Sequence, residues 1–188
     1  MKSGTVSVRY SKALLLYAEE QGCQTEVYDR MDLLSTAFKQ VPQIMENLKN
    51  PTLSGNDKVR LLVAAVTGAD GQEVCKPLQD FIALVVRSGR VSTLPFIAKT
   101  YRNLYRERYN IVPVELTVAT PLDDAHRDEL KKFISSELHS TMEWTEKVDP
   151  DIMGGFVLQV DDIRMDASVA RRLWVIEKEL IEKNSRII

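Results

Sequence analysis

Residues 111–121 read Ile-Val-Pro-Val-Glu-Leu-Thr-Val-Ala-Thr-Pro, and this stretch divides the chain into two kinds of pattern. Val112, Val114, Leu116 and Val118 alternate with Pro113, Glu115 and Thr117. A period of two is a strand with one buried face. Pro113 lacks a backbone donor, so an edge strand or a strand start is expected.

Everything before this stretch has helical spacing. Tyr10, Ala13, Leu14, Tyr17 and Ala18 make an amphipathic stripe, and Gly22 is a natural stop. Thr25 has the character of an N-cap for a second helix striped by Val27, Met31, Leu34, Phe38 and Val41. Pro42 ends it, and a short helix from Gln43 to Lys49 stops at Asn50-Pro51. Ser54 or Asn56 caps a fourth, with Val59, Leu62, Val63 and Val66, closed by Gly68. Val74, Leu78, Phe81, Ile82 and Val85 stripe a fifth, closed by Gly89; Leu94, Ile97, Tyr101, Leu104 and Tyr105 stripe a sixth. Six helices on short loops imply a bundle.

After residue 121 the pattern mixes. A helix is expected from about Asp123 to His139, with Leu130, Phe133, Ile134 and Leu138 inward. Strands are expected at Thr141 to Val148 and Gly155 to Val160, around a turn at Asp149-Pro150. A last helix, Ala167 to about Asn184, carries Val169, Leu173, Ile176 and Leu180. The fold class is therefore mainly α: a six-helix bundle over 1–109, then a small α/β module over 110–188. Charge divides at the same place. Residues 1–110 carry +4 and residues 111–188 carry −6, within a net −2 over 188 residues. Two modules of opposite sign suggest two partner surfaces.

Chemistry is sparse. The composition is ordinary for a globular protein, which excludes disordered and collagen-like classes. No apolar run approaches the ~20 residues of a bilayer span, and the opening residues lack a signal-peptide core, so a cytosolic chain is expected. Cys23 and Cys75 are too few for a disulfide framework or a four-ligand zinc site, and a small buried thiol is the expectation for Cys75. His126 and His139 sit in polar helix segments and read as solvated surface. Gly154-Gly155 precedes a strand and no Lys-Ser/Thr follows, so it is a turn or bulge and not a phosphate loop. Asp161, Asp162 and Asp166 have the oxygens for a hard cation, but turns and helix starts use Asp as readily. Arg102, Arg106 and Arg108 interleave with Tyr105 and Tyr109, as in some single-strand binders. A solvated helix face explains them better, since Tyr101 and Tyr105 lie on the core stripe. What remains is surplus apolar surface. Leu15 and Leu16 lie off the first stripe, and Ala83, Leu84 and Val86 extend the fifth. Either both helices are central or a groove between them accepts a partner helix.

The segment from Val148 to Leu180, VDPDIMGGFVLQVDDIRMDASVARRLWVIEKEL, resembles the C-terminal signature of the delta subunit of F-type ATP synthases, called the oligomycin-sensitivity-conferring protein in mitochondria. Its marks are Asp149-Pro150, Ile152-Met153, Gly154-Gly155, the strand Phe156 to Val160, Asp161-Asp162, and Asp166-Ala167-Ser168. Arg9-Tyr10-Ser11-Lys12-Ala13-Leu14 is similar to the family's opening helix, and Ser88-Gly89-Arg90 also fits. The likeness covers nearly the whole chain. It implies a stator subunit and no enzyme, with no catalytic residue, cofactor or metal. It implies a bundle that receives alpha-subunit N-terminal helices in a groove on helices one and five, for which Ala13, Leu14, Tyr17, Ile82, Val85 and Val86 are the candidates. It implies a second module that binds the b subunits of the peripheral stalk, with Leu173, Trp174, Ile176, Glu177 and Leu180 as candidates and an acidic surface meeting a basic stalk end. The expected place is peripheral, at the cytoplasmic face of a bacterial inner membrane. The competing reading is a regulatory adaptor that binds RNA through Tyr101–Tyr109, which steep salt dependence would distinguish.

Overall fold

The computed structural model describes residues 3–67, 73–138 and 140–185. The chain separates into two compact units, Met1–Arg108 and Tyr109–Ile188.

The first unit is helical. It contains α1 (Ser3–Glu20), α2 (Gln24–Gln40), α3 (Gln43–Lys49), α4 (Gly55–Thr67), α5 (Lys76–Arg87), a 3-10 turn at Val91–Thr93 and α6 (Leu94–Tyr109). Two glycines stop helices by the same device. Gly22 takes φ +68°, and Gly22 N and Cys23 N donate to Glu19 O and Ala18 O at 3.1 and 3.0 Å. Gly89 takes φ +65°, and Gly89 N and Arg90 N donate to Val86 O and Val85 O at 3.0 and 3.1 Å. Each pair satisfies the last carbonyls of its helix, as only a left-handed residue allows. Ser54 caps α4, its Oγ accepting from Asp57 N at 3.2 Å. At the other end of α4 the buried Arg30 donates from Nη1 to Val66 O and Thr67 O at 3.2 and 3.1 Å, placing a cation on the negative end of the helix dipole. Gly68 and His139 lie outside the described residues.

The core of this unit is built by Leu14, Ala18, Val27, Met31, Leu34, Leu62, Leu78, Ile82, Val85, Ile97 and Tyr101, all nearly or fully buried. Two expectations are corrected, and an alternative left open is decided. The N-cap of α2 is Cys23, whereas Thr25 Oγ1 shares a hydrogen bond with Tyr105 Oη at 3.2 Å. The buried face of α1 is rotated from the expected stripe. Ser7, Ser11 and Leu15 are buried with Leu14 and Ala18, while Ala13 is exposed and Tyr10 and Tyr17 are half-buried. Ser11 is tolerated there because its Oγ donates to Ile97 O at 2.9 Å, and its small side chain lets α6 approach. Leu16 is 59% exposed and Leu84 43%, so neither α1 nor α5 is apolar all round within the core.

The second unit contains β1 (Ile111–Val118), α7 (Asp124–Leu138), β2 (Thr141–Val148), a 3-10 turn at Pro150–Ile152, β3 (Phe156–Val160), β4 (Ile163–Asp166) and α8 (Val169–Ser185). The sheet order is β2-β1-β3-β4. β1 runs parallel to β2 through the α7 crossover and antiparallel to β3, and β3 turns back into β4. Val114, Leu116 and Val118 are buried on one face of β1, as period two requires. Pro113 is close to the start of β1, but β1 is interior and not an edge. The Pro113 carbonyl accepts from Asp161 N at 2.9 Å, so its missing N–H faces the point where the β3 ladder has ended at Val160. In α7, Ile134 is buried while Phe133 is 64% exposed, contrary to the inward position expected of it. β4 is short, exposed throughout and absent from the sequence reading.

Candidate docking surfaces

The signature residues of the second unit form one joint between sheet and helix. Asp149 accepts from Asp151 N at 3.0 Å and opens the turn; Asp149 N donates to Val118 O at 2.8 Å. Met153, Gly154 and Gly155 all take positive φ. Gly155 is there for contact as well as conformation. A Cβ at that position would lie 2.4 Å from the Ala167 carbonyl oxygen. The approach is fixed by Val169 N donating to Gly154 O at 3.0 Å and Ala167 N to Phe156 O at 2.9 Å. Ser168 then caps α8, with Oγ accepting from Arg171 N at 3.1 Å and donating to Asp166 Oδ1 at 2.6 Å. Hydrogen bonds from the Ser168 side chain and backbone hold the Asp166 carboxyl below its ordinary pKa. Pro150 starts the turn. The signature thus aims α8.

That helix presents an apolar surface to solvent. Leu173, Trp174 and Ile176 are each about half exposed, and Glu177 is exposed beside them. The side chain of Leu180 lies outside the described residues. The ring of Trp174 has Arg171 over it at 4.4 Å and Lys178 at 5.4 Å. The face around Trp174 therefore carries Arg171 and Lys178 as well as the exposed Glu177.

The second surface is a cleft of about 550 Å³ in the first unit. α1 contributes Val6, Arg9, Tyr10, Ala13, Leu14 and Tyr17; α5 contributes Asp80, Phe81 and Leu84, and Arg90 stands at the far end. The floor is apolar and the ends are polar. Tyr17 Oη donates to Asp80 Oδ2 at 3.1 Å, and this bond raises the pKa of the phenol. Arg90 Nη1 donates to Tyr10 Oη at 2.7 Å, with its guanidinium 5.5 Å from the ring centre. The Tyr10 phenol lies below its ordinary pKa, chiefly through a Ser88 hydrogen bond and then Arg90. Tyr10 also meets Phe81 edge-on at 6.2 Å. Twelve helical residues from Val6 to Tyr17 span about 17 Å. That is the length of three turns of a docked helix.

Of the residues named from sequence for this groove, Ala13, Leu14 and Tyr17 line it. Ile82 and Val85 are buried core side chains and do not line it, and Val86 is half-buried on the side of α5 nearest Gly55. The groove side of α5 is Asp80, Phe81 and Leu84 instead. Leu84 carried a signal, being apolar off the core stripe. Arg9, Asp80 and Arg90 carried none, because an isolated charge beside an apolar helix reads as solvated surface.

Reacting groups are not assembled anywhere described. His126 is exposed and pairs with Asp123, whose carboxyl the contact holds below its ordinary pKa. Among the described residues there is no group of three or more His, Cys, Asp or Glu side chains able to hold a metal ion, and no helix long and apolar enough to cross a membrane. The arginines suspected of touching RNA face their own bundle. Arg102 pairs with Asp32 at 2.8 Å, Arg106 donates to Tyr28 Oη at 2.9 Å, and Arg108 pairs with Glu19 at 3.3 Å. Tyr101 and Tyr105 are buried, and Tyr105 stacks on Tyr28 at 4.4 Å between ring centres. Of the two rings interleaved with these arginines, Tyr105 belongs to the core and Tyr109 is 37% exposed.

The chain thus carries a helical unit with a helix-sized groove and an α/β unit with an exposed apolar helix. The family model for the ATP synthase delta (OSCP) subunit matches residues 6–180. The chain belongs to that family. Similar proteins named ATP synthase subunit delta are found in Phocaeicola vulgatus, 34% identical over the full length of both chains, and Bacteroides fragilis, 37% identical with the same coverage. Another, in Parabacteroides distasonis, is 38% identical over 97% of this chain and 99% of its own. The fold resembles a chain in a cryo-EM structure of the Toxoplasma gondii mitochondrial ATP synthase hexamer, with a TM-score of 0.65 and 18% identity, covering 93% of this chain and 97% of that one. The protein is a non-catalytic stator subunit of an ATP synthase.

Proposed function

We propose that residues 1–109, as a six-helix bundle, bind the catalytic head through N-terminal helices of alpha subunits, and that residues 110–188 bind the b subunits of the peripheral stalk. The joint stands at the cytoplasmic face of a bacterial inner membrane and couples proton transport to ATP synthesis by holding the head against the rotor's torque. The α1–α5 groove carries the head assignment. Its apolar floor matches the inner face of an amphipathic helix, and the Tyr17–Asp80 and Tyr10–Arg90 pairs offer polar contacts at each end. The exposed apolar face of α8 supports the stalk assignment, because apolar surface rimmed by charge is the ordinary form of a docking site.

A durable joint needs nanomolar affinity, about −12 kcal/mol, most of it from a few buried anchors. The test is capture from membranes washed at low ionic strength. The tagged full-length protein should bring down alpha and b subunits together. A folded Tyr17→Glu variant should lose alpha and keep b, and Trp174→Glu should do the reverse. Equal recovery of both partners by both variants would refute the division of labour.

A further inference from the structure

The first unit has a second groove, on the α2 and α6 side, with a volume of about 490 Å³. Along α6, Pro95, Lys99, Arg102 and Arg106 follow one another at helical spacing and share one face of the helix. From Pro95 to Arg106 is about 17 Å of helix, again three turns. The opposite wall is Phe38 and Lys39 of α2 with Met45 of α3. The floor is apolar and the rim has one sign. Phe38, Met45 and Pro95 are half-buried, and Phe96 is 58% exposed, a large apolar side chain that its own unit leaves open. Two lysines and two arginines line the groove, and among the described residues no carboxylate does. Lys39 and Lys99 are exposed and form no ion pair among the described residues. Arg102 is held by Asp32 at 2.8 Å, yet its Nε is buried with no hydrogen-bond partner among the described residues. A buried donor left without an acceptor is uncommon. The α1–α5 groove differs in carrying Asp80 as well as Arg9 and Arg90, and the two grooves share no lining residue.

We propose that this second groove docks an acidic amphipathic helix of another protein. The apolar stripe of that helix lies on Phe38, Met45 and Phe96, and its carboxylates reach Lys39, Lys99 and the guanidinium of Arg102. Charge complementarity selects the occupant: a cationic rim with no acid in it repels a basic helix and draws an acidic one. A carboxylate entering beside Arg102 also brings the acceptor that its guanidinium lacks. The walls are helices, whose backbone groups are paired along their length, so an extended peptide finds no edge to join. A helix in the groove is the mode that fits. A nucleic acid is disfavoured, because successive bases need open rings to stack on and Phe96 is the one well-exposed ring in this lining. With no lining residue in common, filling one groove leaves the other open.

The test is a fluorescence-anisotropy titration of full-length protein with a labelled synthetic peptide of about 18 residues, leucine on one helical face and glutamate elsewhere. The protein carries Leu84→Glu throughout, which keeps the α1–α5 groove out of the reading. The peptide should bind with a dissociation constant below about 100 µM at low salt, and added salt should weaken it. The same peptide with lysine in place of glutamate should bind at least about tenfold more weakly. Adding Phe96→Glu should raise the dissociation constant at least about tenfold, the loss of one buried aromatic anchor. Adding Lys39→Glu and Lys99→Glu together should weaken binding to a similar extent. These side chains are exposed, so far-ultraviolet circular dichroism should show each variant folded. No binding of the glutamate peptide, equal binding of the two peptides, or a folded Phe96→Glu protein that binds as tightly as its parent would overturn the inference. So would a single-stranded RNA oligonucleotide that binds more tightly than the glutamate peptide and is released by Phe96→Glu.

Discussion

Replacing Gly155 by alanine should unfold the second unit selectively. Two effects add. The residue holds φ +72°, a left-handed conformation that costs an alanine about 1–2 kcal/mol. Its new Cβ would also sit 2.4 Å from the Ala167 carbonyl oxygen, a contact that has to open by most of an ångström. It has little freedom to open, because Gly154 and Phe156 on either side are hydrogen-bonded to Val169 and Ala167. An overpacked site of this kind typically costs about 1–3 kcal/mol more. The sum is about 2–5 kcal/mol. For a unit of this size each kcal/mol moves the midpoint by about 4–8 °C, so a drop of at least about 10 °C is expected. Both tryptophans, Trp144 and Trp174, lie in the second unit, and their fluorescence follows its melting alone. Gly22→Ala is the control for the conformational part, since φ is +68° but nothing lies within 4 Å of the added Cβ. It should cost only about 1–2 kcal/mol, read by far-ultraviolet circular dichroism. A Gly155→Ala protein whose fluorescence midpoint stays within about 2 °C of the parent would refute the close-contact reasoning.

Other expectations concern the caps and the core. Ser168→Ala removes the N-cap of α8 and should cost about 1 kcal/mol in a denaturant titration followed by tryptophan fluorescence. Because the folded Asp166 carboxyl is held below its unfolded value of about 3.9, its hydrogen bonds to Ser168 stabilise above that pH and fade as acid protonates it. The gap between wild type and Ser168→Ala should therefore narrow as pH falls through about 4. Arg30→Ala leaves the Val66 and Thr67 carbonyls without their charged donor and should cost about 3 kcal/mol in thermal unfolding of the first unit. Ser11→Leu overpacks the α1–α6 contact and should cost about 1–3 kcal/mol by the same measurement, with Ser11→Ala milder.

Much of the fold could be read from the chain because its punctuation is local. Gly22 and Gly89 end helices by supplying positive φ, Pro42 and Asn50-Pro51 break them, and the alternation from Val112 to Val118 demands a sheet. The misreadings share a cause: side-chain chemistry was judged without its neighbour. Ser7 and Ser11 lie off the expected stripe of α1, yet both are buried, and a carbonyl on α6 satisfies Ser11 in the core. Phe133 read as core, but Ile134 is the residue of that pair turned inward. β4 is four exposed residues whose strand form comes from pairing with β3, so no buried alternation marks it. The groove suffered most. Ile82, Ala83, Leu84, Val85 and Val86 are consecutive apolar residues, and each step turns the helix by about 100°. Spacing detects that α5 has apolar surface to spare. Only the packed helix tells that Ile82 and Val85 turn to the core while Leu84 meets Tyr17's side of α1.

An apolar helix docking between α1 and α5 is tested most directly by titrating the full-length protein with a peptide copying the alpha subunit's N-terminal helix. Leu84→Glu is the decisive variant, since a side chain already 43% exposed can change without unfolding the unit. Losing the burial of one leucine is worth about 1.5–3 kcal/mol. The dissociation constant should therefore rise at least about tenfold, while added salt changes the wild-type value little. A folded Leu84→Glu protein that binds the peptide as tightly as wild type would contradict the account.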